Sequence, residues 1–160
     1  MTGEPCTMNL TFDRNWKHIN AVRTFLQTMV ASSVSLGAGP GPELIAMAVG
    51  ELLENAVKYS AADEIKVSFR IVEEPSPRLT IDVENAATPE QIETVKELYA
   101  EAMAGDPLEP YMQMMRASAS RTDGKSQLGL VRIRYESGGS LDLDTAGGVV
   151  KFTLIMTPRS

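Results

Sequence analysis

Five stretches of the chain alternate apolar and polar residues with a period of two. Ile65, Val67, Phe69 and Ile71 are separated by Lys66, Ser68 and Arg70, and Leu79, Ile81 and Val83 by Thr80 and Asp82. Leu141 and Leu143 alternate with Ser140, Asp142 and Asp144; Val150, Phe152, Leu154 and Met156 repeat the pattern, as do Met8, Leu10 and Phe12 near the start. Such alternation places one face of each strand in a core and the other in water. Strands of a parallel sheet covered on both faces read instead as unbroken apolar runs. Glu74-Pro75-Ser76-Pro77 breaks the second and third stretches apart, because proline cannot donate to a ladder. Thr145-Ala146-Gly147-Gly148 supplies the positive-φ positions of a short hairpin turn.

Between these strands lie helical periodicities. One covers about 14–33, and a second opens at Gly41-Pro42 with proline in its first turn. A third opens at Thr88-Pro89-Glu90-Gln91, a capping box, and a shorter one starts at Pro110. The last begins near Ser126 and stops at Gly138-Gly139, a left-handed cap. The order is strand, helix, helix, hairpin, helices, helix, hairpin. It predicts an α/β fold: a two-layer α/β sandwich with helices on one face of a mixed, largely antiparallel sheet.

Composition narrows the function classes. The 160 residues make one domain of ordinary size, residues 1–160, and 43% hydrophobic with 22% charged residues is the balance of a globular protein. Fifteen Lys plus Arg against 21 Asp plus Glu leave a net charge of −6, which argues against direct nucleic-acid binding. Cys6 is the single cysteine, so neither an intrachain disulfide nor a cysteine metal cluster is available. The start lacks the pattern of a signal peptide and no apolar run is long enough for a bilayer, so a cytoplasmic protein without membrane contact is expected.

The helix after Pro42 carries the candidate chemistry. Ile45, Val49, Leu52, Leu53 and Ala56 form its apolar stripe, while Glu51, Asn55 and Lys58 share another face at i, i+4 and i+7. An amide oxygen suits Mg²⁺, a carboxylate can take a proton, and a lysine can neutralise phosphate. A solvated face supported by i,i+4 pairs is the simpler alternative for such a stripe.

The run Glu51-Leu52-Leu53-Glu54-Asn55-Ala56-Val57-Lys58-Tyr59-Ser60 closely resembles the N-box of the GHKL (histidine-kinase-like, Bergerat-fold) ATPases. Gln127-Leu128-Gly129-Leu130 resembles their G2 box, and the stretch from Ser137 through Leu154 resembles the closing hairpin of histidine-kinase catalytic domains. The resemblance covers about residues 8–156. It implies ATP and Mg²⁺ as cofactors, Glu51 as catalytic base and Asn55 as the metal ligand. It also implies Lys58, Tyr59, Gly124, Gln127, Leu128 and Gly129 as nucleotide contacts, and an ATP lid over about 105–125. The family's G1 aspartate, which holds adenine, is replaced by Asn85 within Ile81-Asp82-Val83-Glu84-Asn85-Ala86-Ala87-Thr88, and no glycine follows it. An asparagine oxygen can still accept from an adenine amino group.

Without a phosphoacceptor hairpin, the sequence is similar to the stand-alone anti-sigma-factor and partner-switching serine kinases. That implies an ATP-binding regulatory protein, a Mg-ATP-dependent serine/threonine kinase. Its partner would be a small regulatory substrate or antagonist protein, with an effector such as a sigma factor; a homodimer is compatible with this reading. The alternative is a catalytically inactive pseudo-ATPase that serves as an interaction adaptor. His18 reads as a surface residue, Trp16 as a packing residue, Cys6 as a small hydrophobe, and Tyr111, Met112, Met114 and Met115 as local packing or an adaptable binding surface.

Overall fold

A computed structural model describes residues 6–32, 41–73, 77–120 and 128–157. The alternating stretches become β1 (Cys6–Asp13), β2 (Glu64–Val72), β3 (Arg78–Ala86), β4 (Ser140–Asp144) and β5 (Val149–Met156). They join in the order β1-β2-β3-β5-β4. All pairings are antiparallel, which corrects the expectation of a mixed sheet. The reason is topological: β1 and β3 both run antiparallel to β2, and the β4–β5 hairpin adds β5 antiparallel to β3.

The register explains the alternation. Leu10, Val67, Val83, Phe152 and Leu143 form one cross-strand row, and Met8, Phe69, Ile81, Leu154 and Leu141 the next. Both rows face the helices, and the central strands' members are almost fully buried. On the other face, Thr11, Lys66, Glu84, Lys151 and Asp144 align so that charges alternate in sign across four strands.

Among the described residues five α-helices complete the architecture: α1 (Trp16–Ala31), α2 (Gly41–Lys58), α3 (Pro89–Met103), α4 (Leu108–Ser120) and α5 (Leu128–Arg132). The last continues as a π-helical turn, Ile133–Ser137, which the periodicity does not distinguish from a longer helix. Asn15 caps α1 by accepting from the Lys17 N–H, so the helix starts at Trp16. Trp16 itself is 54% exposed, against the packing role expected of it. The buried stripe of α1 is Ile19, Val22, Leu26 and Val30, four positions at helical spacing that leave Trp16 outside.

Helix α1 packs on α2. A Cβ at Gly50 would come within 2.9 Å of Arg23 Cδ, so the glycine leaves room for Arg23 to cross and donate to the Ala46 carbonyl. Helix α3 has the expected capping box, with Thr88 Oγ1 accepting from Gln91 N and Gln91 Oε1 from Thr88 N. Its far end is held by Arg134, which donates to the carbonyls of Ala102, Ala104 and Gly105. Gly138 ends the π turn at φ 65° and Gly147 and Gly148 turn the last hairpin at φ 75°, where glycine was expected in each case.

No helix among the described residues is long and apolar enough to cross a membrane. Of the expected lid, 105–120 are described and form α4 with the turn before it, two residues ahead of the start expected at Pro110; 121–125 lie outside the described residues.

Candidate functional site

The end of α2 is fixed by four hydrogen bonds to its surroundings. Asn85 Nδ2 donates to the Tyr59 carbonyl at 2.9 Å and to the Ala86 carbonyl at 3.1 Å. Arg14 Nη1 and Gln91 Nε2 both donate to the Ser60 carbonyl. One turn past the helix, Ala61 N donates to Ala86 O at 2.8 Å. The face carrying Asn55 and Lys58 is therefore held rigidly relative to β3. Asn85 lies in the covered row with Phe12, Ile65 and Val150 and is only 4% exposed. Its amide nitrogen is committed to the main chain, while its Oδ1 has no partner among the described residues.

Glu51 sits one helical turn before Asn55, with a side chain 20% exposed. Helix α5 closes over it. A Cβ on Gly129 would lie 2.6 Å from Glu51 Oε2, so only glycine lets the carboxylate approach this backbone. Arg132, one turn further along, places Nη1 3.7 Å from Glu51 Oε1 while its Nε donates to Glu136. Burial raises the Glu51 pKa above its ordinary value, and Glu54 raises it further; Arg132, Lys58 and Arg23 oppose the rise.

Of the residues singled out in the sequence, Glu51, Asn55 and Lys58 lie along α2, Gly129 meets Glu51, and Tyr59 and Asn85 lie at the end of α2. Asn55 is half-buried and its side chain makes no hydrogen bond among the described residues. Gly124 and Gln127 lie outside the described residues, as does the side chain of Leu128. Arg23 and Arg132 were missed. Both are ordinary helix positions in the sequence, and only the packing of α1 and α5 against α2 brings them to Glu51. The result is a local concentration of three cations in a chain of net charge −6.

The remaining singled-out residues lie elsewhere. His18 pairs with Asp13 and meets the Phe12 ring edge-on, so the histidine has a carboxylate partner that sequence spacing did not show. Cys6 is exposed at the start of β1. Tyr111 stacks on Tyr135 at 4.3 Å, while Met112 and Met115 are exposed, so this group is packed on one side only. A cavity of about 400 Å³ opens between α3 and α4, lined by Glu101, Ala104, Gly105, Glu109, Pro110 and Gln113; none of the candidate site residues lines it.

The same arrangement of strands and helices is found in a chain of the SiaB–SiaC complex from Pseudomonas aeruginosa. The match has a TM-score of 0.66 at 12% identity and covers 94% of this chain and 89% of that chain. The nucleotide-free catalytic domain of the histidine kinase ThkA also matches, at a TM-score of 0.45 and 15% identity over 94% of this chain and 97% of that domain. No family model matches the sequence, and no curated protein is significantly similar to it.

Proposed function

We propose that this chain is a Mg²⁺-ATP-dependent regulatory protein kinase that phosphorylates a serine or threonine of a small partner protein. The observation that carries the reading is the half-buried Glu51 carboxylate, with a raised pKa, on the same helix as an Asn55 amide that has no hydrogen-bond partner among the described residues, and near the cations Arg132, Lys58 and Arg23. A carboxyl pKa moved toward neutrality is what a general base needs. Among the described residues no cluster of three His, Cys, Asp or Glu could hold a metal unaided. One protein oxygen plus phosphate oxygens is how Mg²⁺ is commonly bound, and Asn55 Oδ1 would supply the protein ligand.

In this reading Glu51 accepts the proton of the hydroxyl that becomes phosphorylated. Lys58 and Arg132 balance phosphate charge, and the α5 backbone at Leu128 and Gly129, with Gly124 and Gln127 before it, flanks the phosphates. Tyr59 borders the site, and Asn85 Oδ1 would accept from the adenine amino group. Bound ATP supplies the phosphoryl group and Mg²⁺ screens its charge. The residues at 105–125 would act as lid. The protein would work in the cytoplasm, with a small regulatory protein as substrate or antagonist and an effector such as a sigma factor as output. The solved SiaB–SiaC structure is itself a two-protein complex, which supports a protein partner.

A second reading, an inactive adaptor, is favoured by one observation: the Asn85 amide is spent on main-chain carbonyls where the family's nucleotide contact is expected. Transfer of labelled phosphate from ATP to a partner captured from the native lysate separates the two. The kinase reading predicts transfer by the wild type. It predicts that Glu51→Gln keeps ATP affinity within a few-fold but loses about 10²–10⁴-fold in transfer, and that Asn55→Ala loses both. Equal transfer by Glu51→Gln contradicts the base assignment, and partner binding without transfer by the wild type selects the adaptor.

A further inference from the structure

Six large apolar side chains are exposed among the described residues, and four of them belong to one face: Leu108, Met112 and Met115 on α4 and Tyr135 on the π turn. The three on α4 stand at i, i+4 and i+7 and share one side of the helix. Tyr135 continues that side from the neighbouring element, because Tyr111, one turn from both Leu108 and Met115, stacks on it at 4.3 Å. Helix α4 packs on α5, yet no side chain described on it is buried. Thirteen residues are too few for a helix to hold by propensity alone; helices of this length are stabilised by packing an apolar face. On α4 most of that face is uncovered, and a contiguous exposed apolar patch marks an interaction site.

The charge around this face identifies the chemistry of what covers it. Residues 89–120 carry six acids, Glu90, Glu93, Glu97, Glu101, Asp106 and Glu109, against two cations, Lys96 and Arg116. The segment therefore holds −4 of the chain's net charge of −6. All six acids are exposed, and among the described residues only Glu93 has an ion pair, with Lys96. The four glutamates of α3 recur at i, i+3, i+7 and i+11, a single stripe along the helix. Its last member, Glu101, lines the cavity of about 400 Å³ between α3 and α4, and Glu109 and Gln113 line it from α4. Glu109 and Gln113 directly follow Leu108 and Met112 in the chain, so an acidic groove runs alongside the apolar stripe. A methionine-rich face adapts to the shape of what it binds, and an acidic margin selects a partner with cations beside its apolar residues.

We propose that α4, with the acidic groove beside it, is the docking surface for a basic amphipathic helix of a partner protein. The partner's apolar face covers Leu108, Met112, Met115 and Tyr135, and lysines or arginines along its flank meet Glu101, Glu109 and the α3 stripe. A helix with acidic flanks is rejected by like-charge repulsion along the same groove. The proposal does not depend on the reading of Glu51.

Two synthetic helical peptides of about 15 residues test it on the full-length protein. Both carry leucines at helical spacing along one face; one has lysines on the flanking positions and the other glutamates. Followed by the methionine methyl signals in NMR, the lysine peptide should saturate one site per chain and shift the Met112 and Met115 methyls. It should bind at least about tenfold more tightly than the glutamate peptide. Met112→Ser combined with Met115→Ser should weaken it at least about tenfold with an unchanged far-UV spectrum. Glu101→Gln combined with Glu109→Gln, two exposed positions that leave the fold untouched, should weaken it several-fold and flatten its dependence on salt. A lysine peptide that does not saturate at millimolar concentration overturns the proposal. So does equal affinity for the two peptides, or binding that either pair of substitutions leaves unchanged. A wild type that dimerises in sedimentation equilibrium, that the paired serine variant keeps monomeric and that the lysine peptide does not dissociate, also overturns it, because the occupant is then a second copy of the chain.

Discussion

Replacing Asn85 by aspartate should damage this protein. The side chain is 4% exposed, and its Nδ2 faces two carbonyl oxygens, Tyr59 at 2.9 Å and Ala86 at 3.1 Å. An ionised aspartate would turn an acceptor toward both. Ala86 O keeps its bond from Ala61 N, but Tyr59 O has no other partner among the described residues. A buried charge without compensation costs about 3–5 kcal/mol. For a domain of 160 residues that lowers Tm by roughly 6–20 °C. Asn85→Ala, which introduces no charge, should cost about 1–3 kcal/mol. The aspartate's folded pKa would lie above its unfolded value of about 3.9, because the site disfavours its charged form. Stability relative to wild type is then least affected below that value, falls as pH rises, and levels off above the folded pKa. Thermal and urea unfolding of the purified variants from pH 4 to 8 reads this out. Asn85→Asp as stable as wild type at pH 7, or a deficit that does not change with pH, would refute the assignment of Asn85 as a strut between α2 and β3.

Three further outcomes follow from the site. Glu51 has a folded pKa raised above 4.5 by burial, so its ionisation opposes folding as pH climbs above that value; Glu51→Gln should gain stability relative to wild type over that window, and a difference that is flat from pH 4 to 8 would show the carboxyl to be unperturbed. Gly129→Ala places a methyl 2.6 Å from Glu51 Oε2 and must move the carboxylate by a large fraction of an ångström; phosphoryl transfer should fall by up to about 10²-fold while Tm changes little, and the loss should vanish in a Glu51→Gln background. Arg134→Ala removes donors to three carbonyls at the end of α3; tryptic cleavage at Arg116 should accelerate, and an unchanged digestion rate would mean that α4 does not depend on this clamp.

The strands were legible because the sheet has one wet face: Lys66, Glu84 and Lys151 interrupt the apolar positions wherever the register needs a polar row. The capping box at Thr88 and the glycines at 138, 147 and 148 were legible because each satisfies a local backbone demand that few residues meet. The Glu51, Asn55 and Lys58 face was legible because one helix carries all three. What the sequence did not disclose depends on contacts between distant elements. Arg132 reaches Glu51 from a different helix, and Arg23 crosses α2 where Gly50 leaves room for it. The second role of Asn85 was not legible either: its parity on β3 turns its amide nitrogen to the main-chain carbonyls of Tyr59 and Ala86, contacts that only the packing of α2 against β3 creates. Trp16 sits beside the buried stripe of α1 rather than in it, a difference of one position that periodicity at a helix end does not fix.

Nucleotide binding through Asn55 is the premise on which the proposed kinase rests, and titration calorimetry with Mg²⁺-ATP on the full chain measures it without any partner. The account predicts a saturable isotherm with one site per chain, weakened at least about tenfold by Asn55→Ala, roughly the loss expected for a metal ligand or its support. At a hundredfold excess over Kd the bound nucleotide should add about 2.7 kcal/mol of stability, a rise in Tm of roughly 5–10 °C that the variant largely loses. Neither heat nor thermal shift from the wild type at millimolar Mg²⁺-ATP, or an isotherm that Asn55→Ala leaves unchanged, would contradict it.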